Sequence, residues 1–329
     1  RLPVSGYPFS EPASMTTGDW GLETGDWRAP PLSRKRWGRI VTLAALKQPP
    51  EIACIVVSYR SPRDMVAAVR SILVQDVPVE VVVVNSGGGE PAAALAAAGI
   101  DVPVIDHPER LFYGGAANLG IAATTAPLVS LLAADCVAEA GWLAARIERH
   151  RSGASVVAAA ITNAYPKNVF SWAAHVLLWS PRMPGVAPAQ ALLYGLSFKR
   201  EVLDAVGGFR SNLRAGEDTD IKERLSGRYQ PVWEPRVRTA HRNPRGLFSL
   251  LADQYRRGSR SVRTWRDLGQ LQVSRTVASN ALRRFPSLIR VAWAAALPGE
   301  RRWIALATPL VPLGAFAYAL GAAIGRGEI

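Results

Sequence analysis

Between Ile52 and Ile105 the chain alternates short apolar runs with helical ones, and that alternation leaves few folds open. Ile52–Val57 and Val79–Val84 read as strands covered on both faces, because their apolar character is nearly unbroken. Asp64–Leu73 places Met65, Val66, Val69 and Ile72 at helical spacing. Pro91–Ala98 is an alanine-rich helix and Val102–Ile105 a third strand. Strand, helix, strand, helix, strand within about fifty residues predicts a parallel sheet with right-handed crossovers. Ligands of such sheets bind at the carboxyl ends of the strands, where Ser58-Tyr59-Arg60 and Asn85-Ser86 fall.

The chemistry-bearing residues cluster after this unit. Gly114-Gly115 opens a small-residue helix that includes Asn118, and paired glycines let backbone amides approach a phosphate or ribose. The spacing does not fit G-x-G-x-x-G, so a dinucleotide fold is not expected. Val129–Ala134 is the fourth strand and Asp135 ends it. An Asp there is either a turn residue or, on the ligand side of the sheet, a metal ligand. Further on, Gly216-Glu217-Asp218-Thr219-Asp220 precedes an amphipathic run. Three carboxylates so close repel and desolvate badly in a dry core. At a helix start the macrodipole favours them and they can face a cleft, or they form a solvated acidic first turn.

Composition narrows the partners. The net charge of +13 in 329 residues predicts an anionic partner: a nucleotide, a nucleic acid or an anionic lipid. No nucleic-acid recognition motif is present, and nucleic acid is not the expected partner. Cys54 and Cys136 sit in apolar surroundings without ligand spacing and read as reduced core residues of a cytoplasmic protein. Residues 1–30 lack a basic start followed by an apolar run, so no secretory leader is expected.

In this order the motifs resemble family 2 glycosyltransferases of the GT-A fold, over roughly residues 50–265. The resemblance rests on Ile55-Val56-Val57-Ser58-Tyr59, Glu80–Ser86, Gly114–Gly120 and Leu131-Leu132-Ala133-Ala134-Asp135. It continues through Glu139–Leu143, Val206-Gly207-Gly208-Phe209, the Glu217-Asp218 pair with Arg224-Leu225, and Thr239-Ala240-His241. It implies an α/β fold with a mostly parallel sheet flanked by helices, and inverting transfer of a sugar from a nucleotide-diphosphate donor to a hydroxyl acceptor. It further implies Ser58, Tyr59 and Asn85 at the nucleotide, Gly115 and Asn118 on the nucleotide-sugar side, and Arg256 or Arg257 at the diphosphate, with Arg60 beside the nucleotide as a phosphate clamp or a solvated residue. Asp135 and His241 are then ligands of Mg2+ or Mn2+, Asp218 the general base and Glu217 its acceptor-orienting neighbour. Three departures stand out. The usual Asp-x-Asp is Ala133-Ala134-Asp135, the base-pocket acid is Asn85, and Arg60 replaces a small polar residue. The same departures also fit a catalytically degenerate nucleotide- or sugar-binding relative.

Four regions follow. Residues 1–49 are an extension with a repeated Thr-Gly-Asp-Trp, and 50–245 the catalytic domain. Between its motif halves lies an aromatic insertion around Trp172–Trp179, with His175 as core or acceptor groove. Gln190–Phe198 resembles a strand. Residues 246–302 are a basic helical region, where Gln254-x-x-Arg257 resembles a Gln-x-x-Arg-Trp element with Gly258 in place of Trp. Residues 303–329 are an apolar tail, uncharged from Trp303 to Gly325, whose helix would reach about 35 Å. Pro309, Pro312 and Gly314 favour an interfacial or re-entrant hairpin on the cytoplasmic leaflet over a span. The reading is a peripheral or monotopic enzyme on the inner face of the cell membrane, with a glycan or lipid-linked acceptor.

Overall fold

A mixed eight-stranded sheet forms the centre of the computed structural model, which describes residues 49–225, 227–267 and 273–324. The extension before residue 49, with its repeated Thr-Gly-Asp-Trp, lies outside the described residues. The first half is the expected parallel unit: β1 (Ile52–Tyr59), α1 (Pro62–Leu73), β2 (Val79–Ser86), α2 (Pro91–Ala97) and β3 (Val104–His107). The third strand begins two residues later than its apolar run suggests. Helix α3 (Tyr113–Ala122) then leads to β4 (Leu128–Ala133), which pairs parallel with the other edge of β1.

Strand β1 explains its own apolar continuity. Alternate side chains point to opposite faces, and both faces are covered. Ile52, Cys54 and Val56 pack with Met65, Val69 and Ile72 of α1, while Ile55 packs with Ala116, Ala117 and Ile121 of α3. Both cysteines are buried and free, as expected.

The second half adds β5 (Cys136–Ala138), α4 (Trp142–Arg151), β6 (Val156–Asn163), α5 (Val169–Trp179), β7 (Ser197–Lys199), α6 (Arg200–Ala205), α7 (Glu217–Leu225) and β8 (Val232–His241). The sheet runs β3-β2-β1-β4-β7-β6-β8-β5. Strand β7 is antiparallel to both β4 and β6, and β5 is antiparallel to β8. Of the expected Gln190–Phe198 strand only Ser197 and Phe198 pair in the sheet, in a strand that runs on to Lys199, and Gln190 instead ends a 3-10 turn that begins at Pro188. Prolines at such a turn fix φ near helical values and remove a ladder donor.

The chain closes with α8 (Leu247–Asp267), α9 (Val273–Ala295), α10 (Arg301–Ala307) and α11 (Val311–Ile324). The tail is not the expected hairpin. Helices α10 and α11 run on through a 3-10 turn at Thr308–Leu310, and the 24-residue segment Arg301–Ile324 is long and apolar enough to cross a membrane by length and composition. Pro309 sits in the first turn of the 3-10 stretch and Pro312 in the first turn of α11, where the missing N–H donor is not needed. Helix α11 packs on α8, α9 and α5, so the tail is docked on the domain.

The crossing of α8 and α11 is a backbone contact. A Cβ on Gly258 would lie 2.0 Å from the Tyr318 carbonyl oxygen, and one on Gly321 would lie 2.0 Å from that of Tyr255. This is why glycine stands where the resemblance would place tryptophan. We expect Gly258→Ala to lower stability by about 1–3 kcal/mol through overpacking, seen in calorimetry as a fall in melting temperature.

Candidate active site

Three strand ends line up at the carboxyl edge of the parallel unit. Ser58 pairs in register with Asn85, and Asn85 with Asp106. Ser58 and Asn85 are buried, and the Ser58 hydroxyl has no hydrogen-bond partner. The Asn85 amide donates to the Asp106 carboxylate at 2.9 Å and to the Gly88 carbonyl at 3.1 Å. Sequence reasoning found Asn85 but missed Asp106. The signal lay in the register, which restores a carboxylate beside the position that lost one. Tyr59 is exposed, with the Arg110 guanidinium 4.7 Å from its ring centre and that of Arg60 at 5.4 Å. Arg60 turns its Nε to the Gly87 carbonyl at 2.8 Å.

The glycine-and-asparagine helix is different from expectation. Asn118 is buried, and its amide clasps both backbone groups of Phe209: Nδ2 donates to the carbonyl at 2.7 Å, and Oδ1 accepts from the N–H at 2.9 Å. Its hydrogen-bonding face is committed to the Gly207-Gly208 turn, which corrects its placement at the nucleotide sugar. Gly115 faces Ser211, and a Cβ on Gly114 would meet the Arg210 carbonyl oxygen at 2.4 Å. The glycine pair admits the loop before the acidic helix, rather than a phosphate.

Asp135 follows β4 directly and meets His241 at the end of β8, with Oδ2 to Nε2 at 3.5 Å. The His241 Nδ1 lies 2.8 Å from the Asn243 side-chain oxygen, an acceptor that fixes the tautomer with Nε2 toward Asp135. Asn243 in turn donates to Asn163 at 3.3 Å and contacts Nδ1 of His175 at 3.4 Å. His175 is therefore a buried core residue behind the site, with burial pushing its pKa down to about 3. Asp135, Cys136 and His241 each bring one ligand atom within 4.8 Å of the others. Desolvation works upward on Asp135, but the hydrogen bond and charge of His241, with Arg257 and the Cys136 thiol, hold its carboxyl at about 2. An ionised oxygen beside an imidazole nitrogen suits a divalent cation, which would replace the His241 contact to Asp135 and take its other ligands from a diphosphate.

Across the crevice stands α7. Of its three acids, Asp220 is tied to Arg224 at 2.7 Å and Arg210 at 3.2 Å. Asp218 lines the cleft, with Glu217 next to it in the chain and acting on its carboxyl. Burial and then the Glu217 charge push the Asp218 carboxyl up to about 8, against the pull of Arg182 and Lys222. A cavity of about 30 Å³ joins the two sides, lined by Ala133, Cys136 and Thr239 on one and Asp218 on the other, with Tyr113 and Tyr194 between. Burial raises both phenols, and Asp218 and Cys136 add to it in each case. They stay protonated and act as donors into the crevice. Neither tyrosine drew notice in the sequence, although each adjoins a glycine. Arg257 completes the site: desolvation opposes its charge, but Asp253 at 2.7 Å and then Asp135 more than offset that.

Residues 53–211 match the family model for glycosyl transferase family 2. Over these residues the chain carries a glycosyl transferase family 2 domain. This glycosyltransferase also shares its fold with a mannosyltransferase, PcManGT from Pyrobaculum calidifontis in complex with GDP-Man and Mn2+. The TM-score is 0.54 at 19% identity, over 85% of this chain and 88% of that one. S. aureus TarS 1-349 in complex with UDP-GlcNAc gives a TM-score of 0.45 at 14% identity, over 82% and 90%. A comparison with curated proteins returns no significant match. The family match ends at Ser211, before the acidic helix of this glycosyltransferase.

Asn118→Ala separates the two roles considered for that residue. It leaves the Phe209 N–H and carbonyl buried without partners, so stability should fall by about 2–3 kcal/mol in urea unfolding. Below the transition, calorimetric binding of a nucleoside diphosphate should be unchanged.

Proposed function

We propose that this glycosyltransferase performs inverting transfer of a sugar from a nucleotide-diphosphate donor to a hydroxyl acceptor, with Asp218 as general base. The observation that carries this reading is that Asp218 and Cys136, the neighbour of Asp135, line one small cavity, and that Asp218 and Asp135 both act on the Tyr113 phenol there. Ser58, Tyr59, Arg60 and Asn85, joined by Asp106, take the nucleoside at the strand ends. Asp135 and His241 hold Mg2+ or Mn2+, with Arg257 beside them at the diphosphate. When bound, the cation supplies charge neutralisation for the departing diphosphate.

The residues of the chain do the rest. Asp218, ionised, accepts the acceptor hydroxyl proton as the oxygen bonds to the anomeric carbon. The bond from that carbon to the diphosphate oxygen breaks, and the nucleoside diphosphate leaves with the electron pair. Glu217 orients the acceptor, and the Tyr113 and Tyr194 phenols donate into the water-poor space between. One carboxylate suffices for the cation because His241 is fixed by Asn243. The exposed side of α10 and α11, with Leu306, Leu313, Phe316, Leu320 and Ile324 in one stripe near Arg301 and Arg302, docks the enzyme on the anionic inner face of the cell membrane.

Asp218→Asn should lower transfer roughly 10²–10⁴-fold while leaving donor binding intact. The base works only when ionised and its pKa is raised, so wild-type kcat/KM should climb with pH toward about 8. In Asp218→Asn that limb should vanish. Nucleoside diphosphate release from UDP, GDP and dTDP sugars is the assay; no release by wild type with either metal would leave a binding protein instead. Asn243→Ala, which frees the His241 ring, should raise the metal concentration for half-activation roughly 10–100-fold.

A further inference from the structure

A second and larger cavity, about 300 Å³, lies between α5, α8, α9 and α11. Its chemistry is divided. Arg182, Arg260 and Arg284 contribute three guanidinium groups beside Arg257, which is paired with Asp253 at 2.7 Å, and no carboxylate is among the described residues that line it. The rest of the wall is mostly apolar, with Leu177, Leu178, Leu192, Val277 and Leu288. A site for a nucleotide or a soluble sugar would show hydrogen-bonding groups in place of that aliphatic wall. A site for a plain hydrocarbon would not gather cations. The combination fits an amphiphile with an anionic head.

Three observations sharpen this. The Nε of Arg182 is buried and has no hydrogen-bond partner, although its Nη1 donates to the Leu178 carbonyl at 2.9 Å. Arg260 is held below its usual pKa by burial first and then by Arg257, with Asp253 opposing and Arg256 and Arg110 adding to the like charge. An anion in the cavity relieves both. The third is location. Ala215 borders the cavity just before Glu217 and Asp218, Arg182 acts on the Asp218 carboxyl, and Arg257 acts on Asp135. The cavity therefore adjoins the crevice on the side of the base.

Helix α11 offers the way out for a tail. Ala315 and Tyr318 line the cavity, while Leu313, Phe316 and Leu320 on the outer side of the same helix are 48%, 60% and 40% exposed. At about 300 Å³ the space is at the small end for a ligand site, enough for a phosphate and the first carbons of a chain but not for a whole lipid. A continuous apolar surface for the remainder is what such a ligand requires.

We infer that this cavity is the acceptor subsite and takes the phosphate and proximal hydrocarbon of a lipid phosphate, with the group to be glycosylated directed toward Asp218. This rests on the transferase reading above and adds the chemical class of its acceptor. Dodecyl phosphate, below its micelle concentration, is the probe for the purified full chain. Wild type should bind it at least tenfold more tightly than dodecanol or inorganic phosphate. Arg284→Gln should weaken it about tenfold, and Ala281→Trp, which fills the cavity, should abolish it; both should keep wild-type melting and nucleoside diphosphate affinity. Should either variant fail to fold, the other decides. Equal binding of dodecanol would reduce the site to a greasy contact, and equal binding of inorganic phosphate to an anion site; either overturns the inference. So does undiminished dodecyl phosphate binding in the folded variants. Flotation with phosphatidylglycerol vesicles should be the same for wild type and Arg284→Gln; a parallel loss there would assign the arginines to the membrane surface and overturn the subsite. Absence of donor turnover in wild type, with dodecyl phosphate still bound in the cavity, would count against the transferase reading alone.

Discussion

The position of the proposed general base depends on one guanidinium. Arg224, in the last turn of α7, donates to the Asp220 carboxylate at 2.7 and 3.0 Å and to the Gly208 and Val206 carbonyls. One side chain thus ties the acidic helix to itself and to the turn that precedes it. That turn is held from the other side by Asn118 of α3 through Phe209. Hydrogen bonds thus hold the Val206–Phe209 turn to α3 on one side and to α7, the helix that carries Asp218, on the other. The pair at Asp220 is charge-assisted and only partly exposed, so it is less screened than a surface ion pair. Removing Arg224 would strand two carbonyls at once and leave the Asp220 carboxylate with Arg210 alone.

With α7 fixed, the crevice sets two carboxylates in opposite states. Asp135 lies against His241 and in the field of Arg257, and its ionised form is favoured. Asp218 lies beside Glu217 with its cations more remote, and its ionised form is disfavoured. Environment, not residue type, divides the work: one acid is always an anion for a cation to meet, and the other is poised to exchange a proton near neutral pH. The tyrosines between them keep their protons for the same reason that Asp218 does, since burial penalises charge.

The parallel half of the fold was legible because β1 and β2 are covered on both faces and must be apolar almost throughout. Strand β6 was not, because its Ala158-Ala159-Ala160 run carries no period that separates strand from helix. Among site residues, Asp135 and His241 could be paired through the resemblance, and they do meet. Asp106, Asn243 and Tyr194 come together only through register and loop path, which leave no mark on spacing. Asn118 and Gly115 show the converse. Their residue types suit a phosphate cradle, yet tertiary packing uses them to admit the loop that carries Arg210 and Ser211. Small and amide residues serve close backbone approach as readily as ligand approach, and local sequence does not distinguish the two.

Gly258 makes the same point with a consequence for the whole molecule. The residue before it, Arg257, faces Asp135, while Gly258 itself lies under the backbone of α11. The contact is carbonyl against Cα, with no side chain between to absorb a shift. Helix α11 also carries the exposed apolar stripe on its far side. The surface that would meet a bilayer and the guanidinium that acts on Asp135 are thus mounted one helix crossing apart. The tail is part of the site's frame, and its glycines are set by that crossing rather than by any need for flexibility.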